Sequence, residues 1–142
     1  MGRKLVTKLS NRPCFTLTEQ DTLKTASEKL QEHNVGVMPV LNKKDKSVIG
    51  IISERDLARH IYKDQFTSNL LVSKIMTKNI ISCDLNTSVT QLMEIISSHK
   101  IRHIPIIEEK KLVGMVSIGD VVNHIIEQYK DENQQLRDFI NQ

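Results

Sequence analysis

Apolar residues along the chain follow two rhythms, one helical and one extended, and the whole succession occurs twice. Leu23, Ala26, Leu30 and His33 stand at helical spacing, as do Val89, Leu92, Ile96 and His99. Asp21 or Thr22 precedes the first stretch and Thr87 or Ser88 the second, where a helix wants an N-cap. Each helix gives way to a β-branched run, Val35–Leu41 or Ile101–Ile107, then a polar turn and a second run, Val48–Ile52 or Leu112–Val116. Such runs are too short for helices and rich in strand formers, so they read as adjacent strands. Ser53 and Ser117 then stand ready to cap a second helix in each half. With a short strand near Cys14–Leu17 and another near Asn79–Cys83, the unit is β-α-β-β-α.

The two halves align residue by residue. A shift of 66 places Thr22 on Ser88, Leu30 on Ile96, His33 on His99 and Pro39 on Pro105. The register then slips by two within a charged hairpin loop, where insertions are tolerated. At a shift of 64, Gly50, Ser53, Asp56, His60 and Ile61 match Gly114, Ser117, Asp120, His124 and Ile125. A unit of about 60 residues buries little surface alone. The predicted fold is therefore α/β (α+β): two repeats, residues 5–63 and 72–127, packed sheet to sheet about a pseudo-twofold axis. Residues 64–71 form a linker, and residues 128–142 extend the last helix. From Val121 to Gln142, Val122, Tyr129 and Leu136 share one heptad position, and Ile125, Glu132 and Phe139 another. Glu132 and Asn133 interrupt the stripe, which argues against a long coiled coil and leaves packing on its own module or on another molecule as equal expectations.

Composition narrows the function classes. The chain has 142 residues, 39% hydrophobic and 26% charged, with a formal net charge of +3. Basic residues are dispersed and aromatics amount to 4%, so no nucleic-acid footprint emerges. No apolar run approaches the roughly 18–20 residues of a membrane span, and no apolar stretch of a signal peptide opens the chain. Gly2 fails the myristoylation pattern because Val6 stands where Ser or Thr is wanted. A cytoplasmic protein without a membrane partner is expected. Cys14 and Cys83 are isolated and read as reduced, partly buried thiols, and neither they nor the scattered histidines have metal-ligand spacing.

The candidate chemistry lies in "GIISERD" (Gly50–Asp56) and "GMVSIGD" (Gly114–Asp120), each glycine, two apolar residues, serine, two variable residues, aspartate. Each lies where a strand passes into a helix, whose first free amides favour negative charge. An Asp three residues beyond the Ser falls one turn along on the same side. It can close a capping box, a role usually taken by Glu or Gln, or accept the vicinal hydroxyls of a ribose. The copies differ in their cations: Arg102 and His103 precede Pro105 where Gly36 and Val37 precede Pro39, and Arg55 of the first motif faces Gly119 of the second.

These motifs, with "KIMT" at Lys74–Thr77 and the two proline-bearing strands, resemble the cystathionine-β-synthase-type (CBS) domain, present as a tandem, stand-alone pair over roughly residues 5–127. The resemblance implies a regulatory module with two symmetry-related clefts for adenosine-containing ligands such as AMP, ADP, ATP, NAD(H) or S-adenosylmethionine. It implies that Asp56 and Asp120 hold ribose hydroxyls, helped by Ser53 and Ser117. It also implies that adenine pairs with backbone near Ile81–Ser82 in one cleft and Phe15–Thr16 in the other, among apolar side chains that include Ile51 and Met115. With phosphate groups drawn from the opposite repeat, Arg102 and His103 would serve the Asp56 cleft and Arg55 the Asp120 cleft. Two unequal sites follow, the Asp56 cleft being the stronger for phosphate.

Neither an activated nucleophile nor a phosphate-cradling glycine loop is present, so a catalytic role and a catalytic cofactor are not expected. The resemblance further implies a homodimer joined through helices and an unidentified regulated protein. The alternatives are a ligand-free interaction module and an S-adenosylmethionine sensor.

Overall fold

The computed structural model describes residues 4–10, 12–63 and 68–141; Gly2 and residues 64–67 of the expected linker lie outside the described residues. The elements run α1 (Leu5–Leu9), β1 (Leu17–Thr18), α2 (Leu23–His33), β2 (Val37–Leu41), β3 (Val48–Ser53) and α3 (Glu54–Tyr62). After a 3₁₀ turn (Val72–Lys74) come α4 (Val89–His99), β4 (His103–Glu108), β5 (Lys111–Ser117) and α5 (Ile118–Ile140). Thr22 caps α2, its hydroxyl accepting from the Thr25 amide, and Ser88 forms a capping box with Gln91 at α4. Both helices end on a left-handed residue, Asn34 at φ 52° and Lys100 at φ 53°. These are equivalent positions, and such an ending releases the chain sharply into the next strand.

Strands β1, β2 and β3 form one sheet in that order, β1 parallel to β2 and β2 antiparallel to β3; β4 and β5 pair antiparallel in a second. Val40 opposes Gly50 and Leu41 opposes Val48, so Ile49 is an extra residue; Val113 is its counterpart between Ile106–Gly114 and Ile107–Leu112. The opening strands are shorter than the sequence predicts. Near Cys14–Leu17 only Leu17–Thr18 pairs, and near Asn79–Cys83 a single bridge joins Cys83 to Ile106. The reason in the second case is a change of partner. Thr77 exchanges backbone hydrogen bonds with Ile51 of the first repeat (2.8 and 2.9 Å), whereas Cys83 bonds the second repeat. Residues 79–82 cross between the two and belong to neither ladder.

Two hydrophobic cores result, and each borrows from the other repeat. Leu17, Leu23, Leu30, Met38, Val40 and Ile52 pack with Val72, which opens the second repeat. Leu92, Ile104, Ile106, Val116 and Val121 pack with Leu5, Val6 and Leu9, which open the first. Close approach is possible because β3 and β5 each carry a glycine there. A Cβ on Gly50 would run into the Met76 side chain, and one on Gly114 would stand 3.0 Å from the Leu9 carbonyl oxygen and 3.2 Å from the Ser10 Cα. The hairpins also meet directly, the Val48 amide donating to the Lys110 carbonyl at 3.0 Å.

Helix α5 leaves the body of the molecule. Val121 and His124 are its buried residues, and Ile125 through Asn141 are all exposed, Phe139 at 74% and Leu136 at 58%. The extension therefore does not pack along its own module.

Gly114→Ala is expected to destabilise the chain by about 1–3 kcal/mol, since the added methyl meets the backbone of Leu9 and Ser10 as well as the Ile106 side chain. Thermal unfolding should register this as a Tm lowered by roughly 3–12 °C; an unchanged Tm would show that α1 can withdraw from β5 without cost.

Candidate functional site

The exchange of segments leaves two cavities between the repeats. The first, about 460 Å³, is bounded by Gly36, Val37 and Ile51, by the start of α3 from Ser53 to Asp56 with Arg59, by Thr77 and residues 79–81 of the crossing segment, and by Lys100–His103. The second, about 550 Å³, is bounded by Arg12–Phe15, Asn34–Val37, Pro39, His103, Met115 and Ser117. Both volumes fall within the range of small-ligand sites. Gly36, Val37 and His103 line both cavities, so they form a common wall.

At the start of α3 and of α5 the capping box is fully made. Ser53 Oγ accepts from the Asp56 amide, while Asp56 Oδ2 accepts from the Ser53 amide at 2.8 Å and from its hydroxyl at 3.0 Å. Ser117 and Asp120 repeat the arrangement, the Ser117 amide donating to Oδ2 at 2.8 Å. Each carboxylate thus commits Oδ2 to its helix; Asp56 lines the first cavity, whereas Asp120 meets the second through Arg12 and Ser117, which line it. Asp56 is buried, and its Oδ1 has Arg59 at 3.7 Å, an ion pair beyond hydrogen-bond length.

Asp120 differs. Arg12 Nη1 donates to its Oδ1 at 2.9 Å and Nη2 to its Oδ2 at 2.8 Å, while Nη2 also donates to the Met115 carbonyl at 2.9 Å. Burial pushes the Asp120 carboxyl up, but the Arg12 and Ser117 hydrogen bonds outweigh it and hold the group below its ordinary value. The Arg12 guanidinium is correspondingly raised, first by its hydrogen bond to Asp120.

The sequence-derived residues distribute unevenly. Ile51 and Ile81 line the Asp56 cavity, and Phe15 and Met115 the Asp120 cavity, but Ser82 and Thr16 line neither. Ser82 is exposed, and the Thr16 carbonyl accepts from Lys29 Nζ at 3.3 Å. Phe15 is stacked on His33 with centroids 3.6 Å apart and planes 7° from parallel, which fixes it as a flat wall. Arg102 and His103 lie in the Asp56 cavity across from α3.

Arg55 requires a correction. It was expected in the Asp120 cleft, but it lines the Asp56 cavity, because it belongs to the first turn of α3 beside the Asp it accompanies. Burial keeps the His103 imidazole below its ordinary value, Arg102 adding to this against the opposing pull of Asp120 and Glu54. The Asp56 cavity therefore gathers Arg55, Arg59, Lys100 and Arg102 as fixed cations, and the Asp120 cavity has Arg12.

Sequence reasoning did not place Arg12, Arg59 or Lys100 in the clefts. Arg59 had a local signal, standing one helical turn beyond Asp56. Arg12 had a weaker one: the shift of 66 puts it on Lys78, so both repeats carry a cation three residues before an apolar cavity-wall residue, Phe15 or Ile81. Of the remaining titratable groups, Cys83 is buried and its thiol is pushed up to about 12, chiefly by that burial.

The family model for the CBS domain matches residues 6–63 and 72–127, covering both repeats. The chain belongs to the CBS domain family. It is 35% identical over 127 residues to the mitochondrial CBS domain-containing protein CBSX3 of Arabidopsis thaliana, covering 87% of this chain and 62% of that protein, so this CBS pair spans less than two thirds of its relative's length. In fold the CBS pair is similar to the CBS domain pair of protein MJ0100 in complex with 5′-methylthioadenosine and S-adenosyl-L-methionine (TM-score 0.78, 21% identity, 89% of this chain and 99% of that one). It is likewise similar to CBSX2 in complex with AMP (TM-score 0.76, 19% identity, 90% and 99%). Among the described residues no helix is long and apolar enough to cross a membrane, and no cluster of His, Cys, Asp and Glu could hold a metal ion.

The depressed Asp120 carboxyl sets a pH dependence. Its contacts with Arg12 and Ser117 contribute fully above the unfolded value of about 3.9 and fade as pH falls through the lower folded value. The stability difference between the native chain and Asp120→Asn, from denaturant midpoints, should be constant near pH 6–7 and shrink below about pH 4. A difference that persists undiminished to pH 2.5 would mean that the carboxylate charge contributes nothing.

Proposed function

We propose that this CBS pair is an adenine-nucleotide-binding regulatory module with two unequal clefts, drawing on the cytoplasmic nucleotide pool. The observation that carries the reading is the Asp56 cavity. A carboxylate oxygen free of hydrogen bonds among the described residues faces a pocket whose walls include apolar Ile51 and Ile81 and whose lining gathers Arg55, Arg59, Lys100 and Arg102. Vicinal hydroxyls suit the carboxylate, a purine suits the apolar wall, and phosphates suit guanidinium groups that offer forked donors. The same cations disfavour a sulfonium, so AMP, ADP, ATP or NAD(H) fits this cleft better than S-adenosylmethionine does. The adenosine ligands of the MJ0100 and CBSX2 structures support the general class of ligand.

In this reading the module acts without chemistry of its own. It signals because ligand binds two arrangements with different affinity, and a partner protein senses the difference. Exposed apolar residues occur at matched positions of the second helices, Ile61 and Tyr62 on α3 and Ile125 and Ile126 on α5. Such a doubled, symmetric pattern supports a homodimer as the signalling unit.

Thermal unfolding against AMP, ADP, ATP, NAD⁺, NADH, S-adenosylmethionine and GTP tests the proposal. An adenine nucleotide at 100 times its Kd should add about 2.7 kcal/mol, a rise of roughly 5–10 °C. Asp56→Ala should remove most of that rise and Asp120→Ala less. Equal stabilisation by GTP, or none by any ligand at millimolar concentration, would overturn the reading in favour of a ligand-free interaction module.

A further inference from the structure

The two clefts are alike in construction and different in state. In the first, Asp56 Oδ1 is clear of hydrogen bonds among the described residues, with Arg59 at 3.7 Å. In the second, Arg12 closes on both oxygens of Asp120 and is anchored further by the Met115 carbonyl. A ribose hydroxyl and a guanidinium are both donors, and here they seek the same acceptor atoms. A ligand whose ribose takes Asp120 must first dislodge Arg12.

We propose that Arg12 is a specificity-determining latch, which admits to the Asp120 cleft adenosine compounds carrying a 5′-phosphate and turns away the bare nucleoside. The inference rests on the reading of the clefts as adenosine sites. A nucleoside offers a displaced guanidinium no anion, so two charge-assisted bonds to the carboxylate are given up and the Met115 carbonyl alone remains. A phosphate returns a forked anionic acceptor of the geometry the guanidinium prefers. The carboxylate passes to the ribose, the guanidinium passes to the phosphate, and no charge is left without a partner. A 5′-sulfonium fares worse than a hydroxyl, because it brings a second cation towards the first. Arg12 is free to make the exchange: its side chain is 48% exposed and lies beyond the buried residues of α1.

The test follows the ¹³C-methyl methionine resonances of the full chain by NMR, since Met115 alone of the described methionines borders the Asp120 cavity. AMP and adenosine are titrated into the native protein, Arg12→Ala and Arg12→Lys, with unfolding temperatures recorded for each. In the native protein AMP should shift Met115 with an affinity about tenfold or more above that of adenosine, as expected when two charge-assisted bonds must be replaced. In Arg12→Ala adenosine should gain and AMP should not, collapsing the preference; Arg12→Lys, with charge but no fork, should fall between.

A preference unchanged by Arg12→Ala, or an equal gain for both ligands, overturns the latch and leaves the adenosine reading standing. So does a Met115 resonance silent in every variant while unfolding temperatures still rise, which would confine ligand to the Asp56 cleft. If neither ligand moves Met115 or the unfolding temperature in any variant, the adenosine reading and the latch fall together.

Discussion

The approach of residues 4–10 to β5 and of residues 72–77 to β3, each admitted by a glycine, is the contact on which the remaining structure depends. Leu5, Val6 and Leu9 fill the core of the second repeat, and Val72 fills that of the first. Neither repeat can therefore complete its interior without the segment that opens the other, and the chain folds as a pair. The same exchange makes the clefts. A segment that starts on one repeat and ends on the other must cross the space between them, and residues 79–82 do so without joining either ladder, carrying Ile81 to the wall of the Asp56 cavity. Residues 12–16 make the corresponding passage beside Asp120 and bring Arg12 and Phe15 with them.

Fold and site share atoms at the two helix starts. Ser53 with Asp56 and Ser117 with Asp120 satisfy helical amides that would otherwise be unpaired. The structural and ligand-binding readings of the repeated motif are thus compatible, because a carboxylate has two oxygens and the cap engages one. The capping bond also fixes the Asp56 rotamer, so its Oδ1 is held at the cavity wall in advance of any partner. Preorganisation of that kind lowers the entropy lost on binding.

Most of the fold was legible because the repeat gave each pattern two readings. Helical spacing over 23–33 and 89–99, the strand runs and the capping serines all fall where periodicity and cap chemistry place them. The opening strands were over-read, since β-branched residues between 79 and 83 look extended whether or not a ladder receives them. The left-handed Lys100 was not legible, because only its equivalence to Asn34 argues for that conformation. In the site, the capping pairs Ser53–Asp56 and Ser117–Asp120 were legible from residue type and spacing. Arg55 was misplaced because a sequence shows which repeat a residue belongs to but not which way a helix start faces.

Arg12 illustrates the remaining gap. It lies 108 positions from Asp120 and outside the repeated motif, and its importance depends wholly on the crossing path of the chain. The repeat carries a basic residue at both equivalent places, yet a lysine and an arginine are not interchangeable where a carboxylate must be gripped through both oxygens. Symmetry of the backbone thus coexists with asymmetry of the sites, and the asymmetry rests on pairs of equivalent positions: Arg12 with Lys78, Asn34 with Lys100, Gly36 with Arg102, Val37 with His103, Arg55 with Gly119, and Arg59 with Asn123. Gly36, Val37 and His103 stand on the wall common to both cavities. Three of the residues that make one cleft unlike the other are therefore also residues that the two clefts share, and neither cleft has a shape independent of its neighbour.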